Sequence, residues 1–97
     1  MRPELPVLIK ARALIADPAK WGQGSRVLDR PIATCCASEA IEEAADVRAR
    51  RVAALDAFRS SAGLSDDAAS ISDWNDAPER THAEVLAAFD KAIASAS

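Results

Sequence analysis

Four residues, Trp21, Phe58, Trp74 and Phe89, are the only Trp, Phe or Tyr that this chain of 97 residues has with which to build a core. A buried aromatic removes roughly 150–250 Å² from water, so each of the four must carry a disproportionate share of the burial. The remaining apolar material is small: 49% of the chain is hydrophobic, and alanine makes up about half of that fraction. Such a composition predicts closely packed helices around a thin core. The length allows one domain, residues 1–97, with a modest stability margin, because a chain this short leaves much of its apolar surface exposed even when folded.

The formal net charge of −3 and the pI near 5.0 argue against a nucleic-acid partner held by general electrostatics, which needs a concentrated basic surface. The opening "MRPELPVLIKARALIA" has too short an apolar run to span a membrane. It also lacks the small-residue cleavage site of a signal peptide, so a cytoplasmic protein without a membrane partner is expected. Cys35 and Cys36 are the only cysteines. Adjacent cysteines form a disulfide only with severe backbone distortion, and two reduced, buried thiols are the plain reading. With one histidine in the chain, a four-ligand zinc site would need both thiols, His82 and a carboxylate, at no standard spacing. Neither a metal nor a cofactor is expected.

The apolar spacing predicts a first helix from Pro3 to Ala16, with Leu5, Leu8, Ile9, Ala13 and Ala16 on its buried face; Asp17-Pro18 ends it. The segment "KWGQGSRVLDRPIAT" reads as an irregular loop, with room for a short hairpin around Arg26 to Ile32. From Thr34 to Ala62 the chain is helix-forming throughout. Drawn as one helix, it places Arg48 and Arg51 on the apolar stripe; a break at Ala45 to Val47, with Asp46 as N-cap, lets both arginines leave the core. Two helices are therefore preferred; in an unbroken one, Arg48 and Arg51 would either run their stems along the core and reach out to water or line a partner or ligand groove. Gly63-Leu64 is a helix stop, and "SDDAAS" allows one short turn capped by Ser65 or Asp66. Thr81-His82-Ala83-Glu84 is a capping box that starts the last helix, with Val85, Leu86, Phe89 and Ile93 facing inward. Asp76-Ala77-Pro78-Glu79 fits the same capping logic one turn earlier. The expected fold is an all-α compact bundle of about four helices, with a Trp- and Gly-containing loop between the first two.

Few residues suggest chemistry. Cys36 and His82 each fall at the start of a helix, where the macrodipole favours a thiolate, and a Cys–His pair there would be the enzymatic reading. Glu39, Glu42, Glu43 and Asp46 read as a solvated acidic face, with Asp46 and Arg50 at ion-pair spacing. No phosphate loop, dinucleotide fingerprint or nucleophile elbow is present. Trp74-Asn75-Asp76 has two readings. Either the indole packs across the helices while Asn75 and Asp76 fix the entry into the last helix, or ring and amide line a pocket beside Trp21 and Gln23.

Three stretches, "WGQG" at Trp21 to Gly24, "CCASEAI" at Cys35 to Ile41 and "WNDAPERTHAEVLAAFDKAI" at Trp74 to Ile93, make the chain resemble a small family of bacteria and their phages known only as a domain of unknown function. The family pattern carries a glycine where this chain has Glu39. The resemblance implies no activity. It does single out Trp21, Gln23, Cys36, Trp74, Asn75 and Asp76 as a shared set, and it implies a phage or mobile-element setting in which small acidic helical proteins bind a host protein. The leading expectation is thus a non-catalytic protein-binding module that presents the loop around Trp21 and the Trp74 to Arg80 segment. The alternatives are a small enzyme or ligand-binding protein using Cys36, His82 and Asp76 in one pocket, and an oligomerisation subunit whose helix faces mate between copies.

Overall fold

The computed structural model describes residues 2–23, 34–67 and 69–97. Among them lie five α-helices and one turn of 3-10 helix. They are α1 (Glu4–Leu14), the 3-10 turn (Pro18–Lys20), α2 (Ala37–Ala44), α3 (Arg48–Ala62), α4 (Ser70–Asp76) and α5 (His82–Ala96). No strand forms among the described residues; the one β feature is an isolated parallel bridge between Trp21 and Cys35. The possible hairpin at Arg26 to Ile32, and Gly24, lie outside the described residues.

The all-helical expectation holds, with one helix more than the four anticipated. The addition is α4, which takes in Trp74, Asn75 and Asp76. These residues therefore form the last turn of a helix rather than a joint ahead of one. The turn before α4 is set by Asp67, not by Ser65 or Asp66: its carboxylate accepts from Ala69 N–H at 2.9 Å. The break between α2 and α3 falls at 45–47 as the arginine argument requires, but Val47 is the residue at the N-cap, in extended geometry (φ −135°, ψ 155°). Asp46 lies one residue further out and pairs with Arg50 instead.

Helix α1 stops at Leu14, two residues early, because Asp17 turns its carboxylate to Ala19 N–H and caps the 3-10 turn that Pro18 opens. Its buried face also differs from the expected one. Glu4, Val7, Leu8 and Ala11 are enclosed, followed by Ile15 just past the helix, whereas Ile9 is 51% exposed. Residues 4, 8, 11 and 15 step by four, three and four, and this register brings Ala11 to the contact, where its small side chain allows a neighbouring backbone close.

Helix α1 packs most extensively on α2, and α3 on α5. Alanines at the contacts, Ala11, Ala37, Ala40, Ala44, Ala54 and Ala92, are buried and permit the close approach. The aromatic centre is Phe58 and Phe89, both fully buried with ring centroids 4.7 Å apart, and Trp74 meets the edge of Phe58 at 5.6 Å. Along α5, Val85 and Phe89 face the core as expected; Ala92 and Ala96 complete the stripe, with Leu86 and Ile93 half-buried at its margins.

Candidate functional site

The geometry of the singled-out residues begins with Asn75, the penultimate residue of α4, whose side chain is shut off from solvent. Its Oδ1 accepts from the Trp21 indole Nε1–H at 2.7 Å and from the Ala37 backbone N–H at 3.0 Å. Both partners can only donate, so the amide oxygen must be the atom that faces them. The Nδ2 group then donates to the Gly22 carbonyl and to Asp76 Oδ1, each at 3.0 Å. Two lone pairs and two hydrogens are all used, which is the condition for burying a primary amide without a large desolvation penalty.

Each of these partners is itself a helix end or its approach. Ala37 is the first residue of α2, and its N–H has no partner inside that helix. Asn75 thus caps α2 from another element, while Glu39 accepts from the Cys36 N–H at 3.0 Å within α2's own first turn. Gln23 does the converse for α4. Its Nε2 donates to the carbonyls of Asn75 and Ala77, both at 2.8 Å, where the helix runs out of internal donors. His82 serves α1: Nε2 lies 2.6 Å from the Ile15 carbonyl. A carbonyl only accepts, so Nε2 carries a proton. Its ring lies 5.8 Å from that of Trp21, tilted by 47°. The 20–22 segment is tied to Cys35 through Gly22 N–H to Cys35 O at 3.0 Å and Cys35 N–H to Lys20 O at 2.9 Å.

Trp21, Gln23, Cys36, Asn75, Asp76 and His82 are therefore gathered at one seam where α1, α2, α4 and α5 end or begin. Cys36 is buried at the start of α2 and Cys35 is half-buried. Trp74 faces away from Asn75 within the same helix. Phe58 covers one part of its ring, and the Arg80 guanidinium lies over the ring at 4.2 Å from the centroid. Arg80 Nε also donates to the Trp74 carbonyl at 3.0 Å, so this arginine both covers the indole and caps α4. Arg48 and Arg51 are elsewhere, in the first turn of α3, exposed and half-buried respectively.

Sequence spacing does not disclose the roles of Ile15, Gly22 and Ala37, which take part through backbone atoms alone. Arg80 carries a weak signal, a cation six residues after a tryptophan with Pro78 between them. Among the described residues no three His, Cys, Asp or Glu side chains come together as metal ligands. A separate open cleft of about 260 Å³ lies where Arg2 and Glu4 of the α1 start meet Ser60 and Ser61 of α3 and Ser95 of α5, and no seam residue lines it. Glu4 is held there by Arg2 at 3.6 Å.

No curated protein and no solved structure matches the chain. One family model does, over residues 1–95, a span that takes in every residue of the seam; the chain belongs to DUF6197, a family of unknown function.

Proposed function

We propose that the chain is a non-catalytic protein-binding module whose contact face is built on Trp74 and Arg80, with Ala77, Pro78 and Glu79 at its rim. In the phage or mobile-element setting implied by the resemblance, the partner is a host protein. The observation that carries this reading is the Trp74–Arg80 stack. A half-buried indole, backed by Phe58 and covered by a guanidinium at 4.2 Å, is an anchor of the kind that dominates binding energy at interfaces. The stack is also held in advance of binding. Arg80 is hydrogen-bonded to the Trp74 carbonyl and lies 3.6 Å from Glu84, so little side-chain freedom remains to be lost on association.

The test is affinity capture from the native host followed by mass spectrometry, run in parallel on the wild type and on Arg80→Ala. A stoichiometric partner on the wild type, depleted on an Arg80→Ala protein whose circular dichroism is unchanged, is the expected result. Equal capture by both, or no stoichiometric partner at all, rejects the proposed face.

A second reading, a small ligand-binding or enzymatic pocket using Cys36, His82 and Asp76, draws support from the gathering of all three at one seam. Rapid modification of Cys36 by iodoacetamide in a folded Cys35→Ser protein is its requirement. A thiol that reacts only on unfolding removes it.

A further inference from the structure

The seam and the Trp74 face leave unexplained the corner between α2 and α3, where local charge opposes the fold. The last turn of α2 carries Glu42 and Glu43 and no basic residue; the first turn of α3 carries Arg48, Arg50 and Arg51 and no acidic one. Carboxylates at a helix C-terminus and guanidinium groups at an N-terminus both face the wrong end of the macrodipole. Arg50 is compensated by Asp46. Among the described residues, Glu42, Glu43, Arg48 and Arg51 enter no ion pair.

The same corner is uncovered. Not one of residues 45–53 is buried, and Val47 and Val52 are 51% and 44% exposed. Val47, Arg51, Ala54 and Phe58 follow one another at steps of four, three and four positions. Val47 and Arg51 therefore continue, towards the N-terminus of α3, the stripe that further along is buried against the core. The first six residues of α3 thus include no buried one, and Val47 lies in the chain between the acidic end of α2 and the basic start of α3. Positions where a sequence works against its own local stability are where a role other than folding is to be sought.

We infer that this corner docks on a second copy of the chain in an isologous dimer, with Val47 of both copies near the two-fold axis. Arg48 and Arg51 of each copy then meet Glu42 and Glu43 of the other. Such a contact needs a patch complementary to itself, and adjacent blocks of opposite charge flanking an apolar centre are one. It also sets the positive end of each α3 against the negative end of the opposite α2, which removes the dipole conflict of the single copy. The inference does not depend on the Trp74–Arg80 face. The corner is small, so the dimer belongs to the weak class.

Sedimentation equilibrium of the whole chain from about 5 to 500 µM tests it. The wild type is expected to show a reversible monomer–dimer equilibrium that weakens when salt is raised to about 0.5 M. The double reversals Arg48→Glu/Arg51→Glu and Glu42→Lys/Glu43→Lys should each lose at least about tenfold in self-association, and an equimolar mixture of the two should recover it as a heterodimer. Both variants restore favourable charge to their helix ends, so their melting temperatures at low concentration should equal or exceed that of the wild type, separating lost docking from lost folding. A wild type monomeric throughout the range, as it would be if this face served a different partner, overturns the inference. So does a dimer indifferent to both reversals.

Discussion

A primary amide can be fully buried without large cost only where all four of its hydrogen-bonding positions are met, and at Asn75 they are met by groups of four residues, Trp21, Gly22, Ala37 and Asp76. Losing the amide would strand an indole N–H, a helix-start N–H and a carbonyl around a side chain shut off from solvent. A stranded buried polar group costs about 1–3 kcal/mol. Asn75→Ala is therefore expected to lose about 3 kcal/mol by urea denaturation, a large part of the margin of a domain this size. Asn75→Asp separates shape from hydrogen bonding, since it keeps the acceptor for Trp21 and Ala37 but loses the donor to Gly22 and sets a second carboxylate beside Asp76. If the seam rests on the full hydrogen-bond set, this near-isosteric change is destabilising by a similar amount; if it rests on packing alone, it is nearly neutral.

Helices this short depend on their ends, and the ends fall into two kinds. Some are closed by their own neighbours. At Gly63 the backbone enters the left-handed region (φ 71°), Leu64 N–H reaches back to Arg59 O at 2.8 Å, and Gly63 N–H reaches Ser60 O at 3.3 Å, the paired bonds of a Schellman stop. A Cβ added there would meet nothing within 4 Å, so the loss in Gly63→Ala should be the backbone term alone, about 1 kcal/mol in chemical denaturation. At the start of α5, Thr81 N–H donates to Glu84 Oε1 at 2.8 Å and Glu84 N–H to Thr81 Oγ1 at 3.2 Å. The hydrogen bond from the Thr81 backbone, then that from its side chain, then the nearby Arg80 charge, hold the Glu84 carboxyl below its ordinary value of 4.5. A folded-state value below the unfolded one means stability present above the unfolded value and lost as pH falls through the folded one. Glu84→Gln, which can still accept from Thr81, should thus gain melting temperature relative to the wild type as pH is lowered from 6 to about 3. Gly63, Thr81 and Glu84 are legible in the sequence because their partners lie within five positions. The second kind of end is not. Asn75 caps Ala37 across 38 positions, Gln23 caps Ala77 across 54 and His82 meets Ile15 across 67, and no spacing rule reaches so far. That is why Trp74-Asn75-Asp76 could be singled out as important yet be read as a joint, when its helix is stabilised from outside by Gln23 and Arg80.

For the molecule as a whole, scarce aromatics and abundant alanine divide the work of holding the fold. Composition makes the helical class legible, since alanine faces bury little area each and need close helix contacts. It does not fix which face of α1 turns inward, because Leu5, Val7, Leu8 and Ile9 allow more than one register and only the neighbouring helices select among them. The ring cluster of Phe58, Phe89 and Trp74 joins α3, α5 and α4, while the seam around Trp21 and Asn75 joins the 20–23 segment, α2 and the end of α4 chiefly through hydrogen bonds. Apolar packing resists opening over a wide area, whereas a hydrogen-bonded seam opens once a few bonds are lost, so the two should separate in hydrogen exchange. In Asn75→Ala the amides whose acceptors lie in the seam, Gly22, Cys35 and Ala40, are expected to exchange through a local opening at least about tenfold faster than in the wild type, beyond any change in the slowest amides. The α3–α5 interior around Phe58 and Phe89 should remain the most protected part of the molecule. A uniform acceleration, equal in the seam and around Phe58, would show instead that seam and ring cluster open as one unit, and that Asn75 supports the whole fold rather than one corner of it.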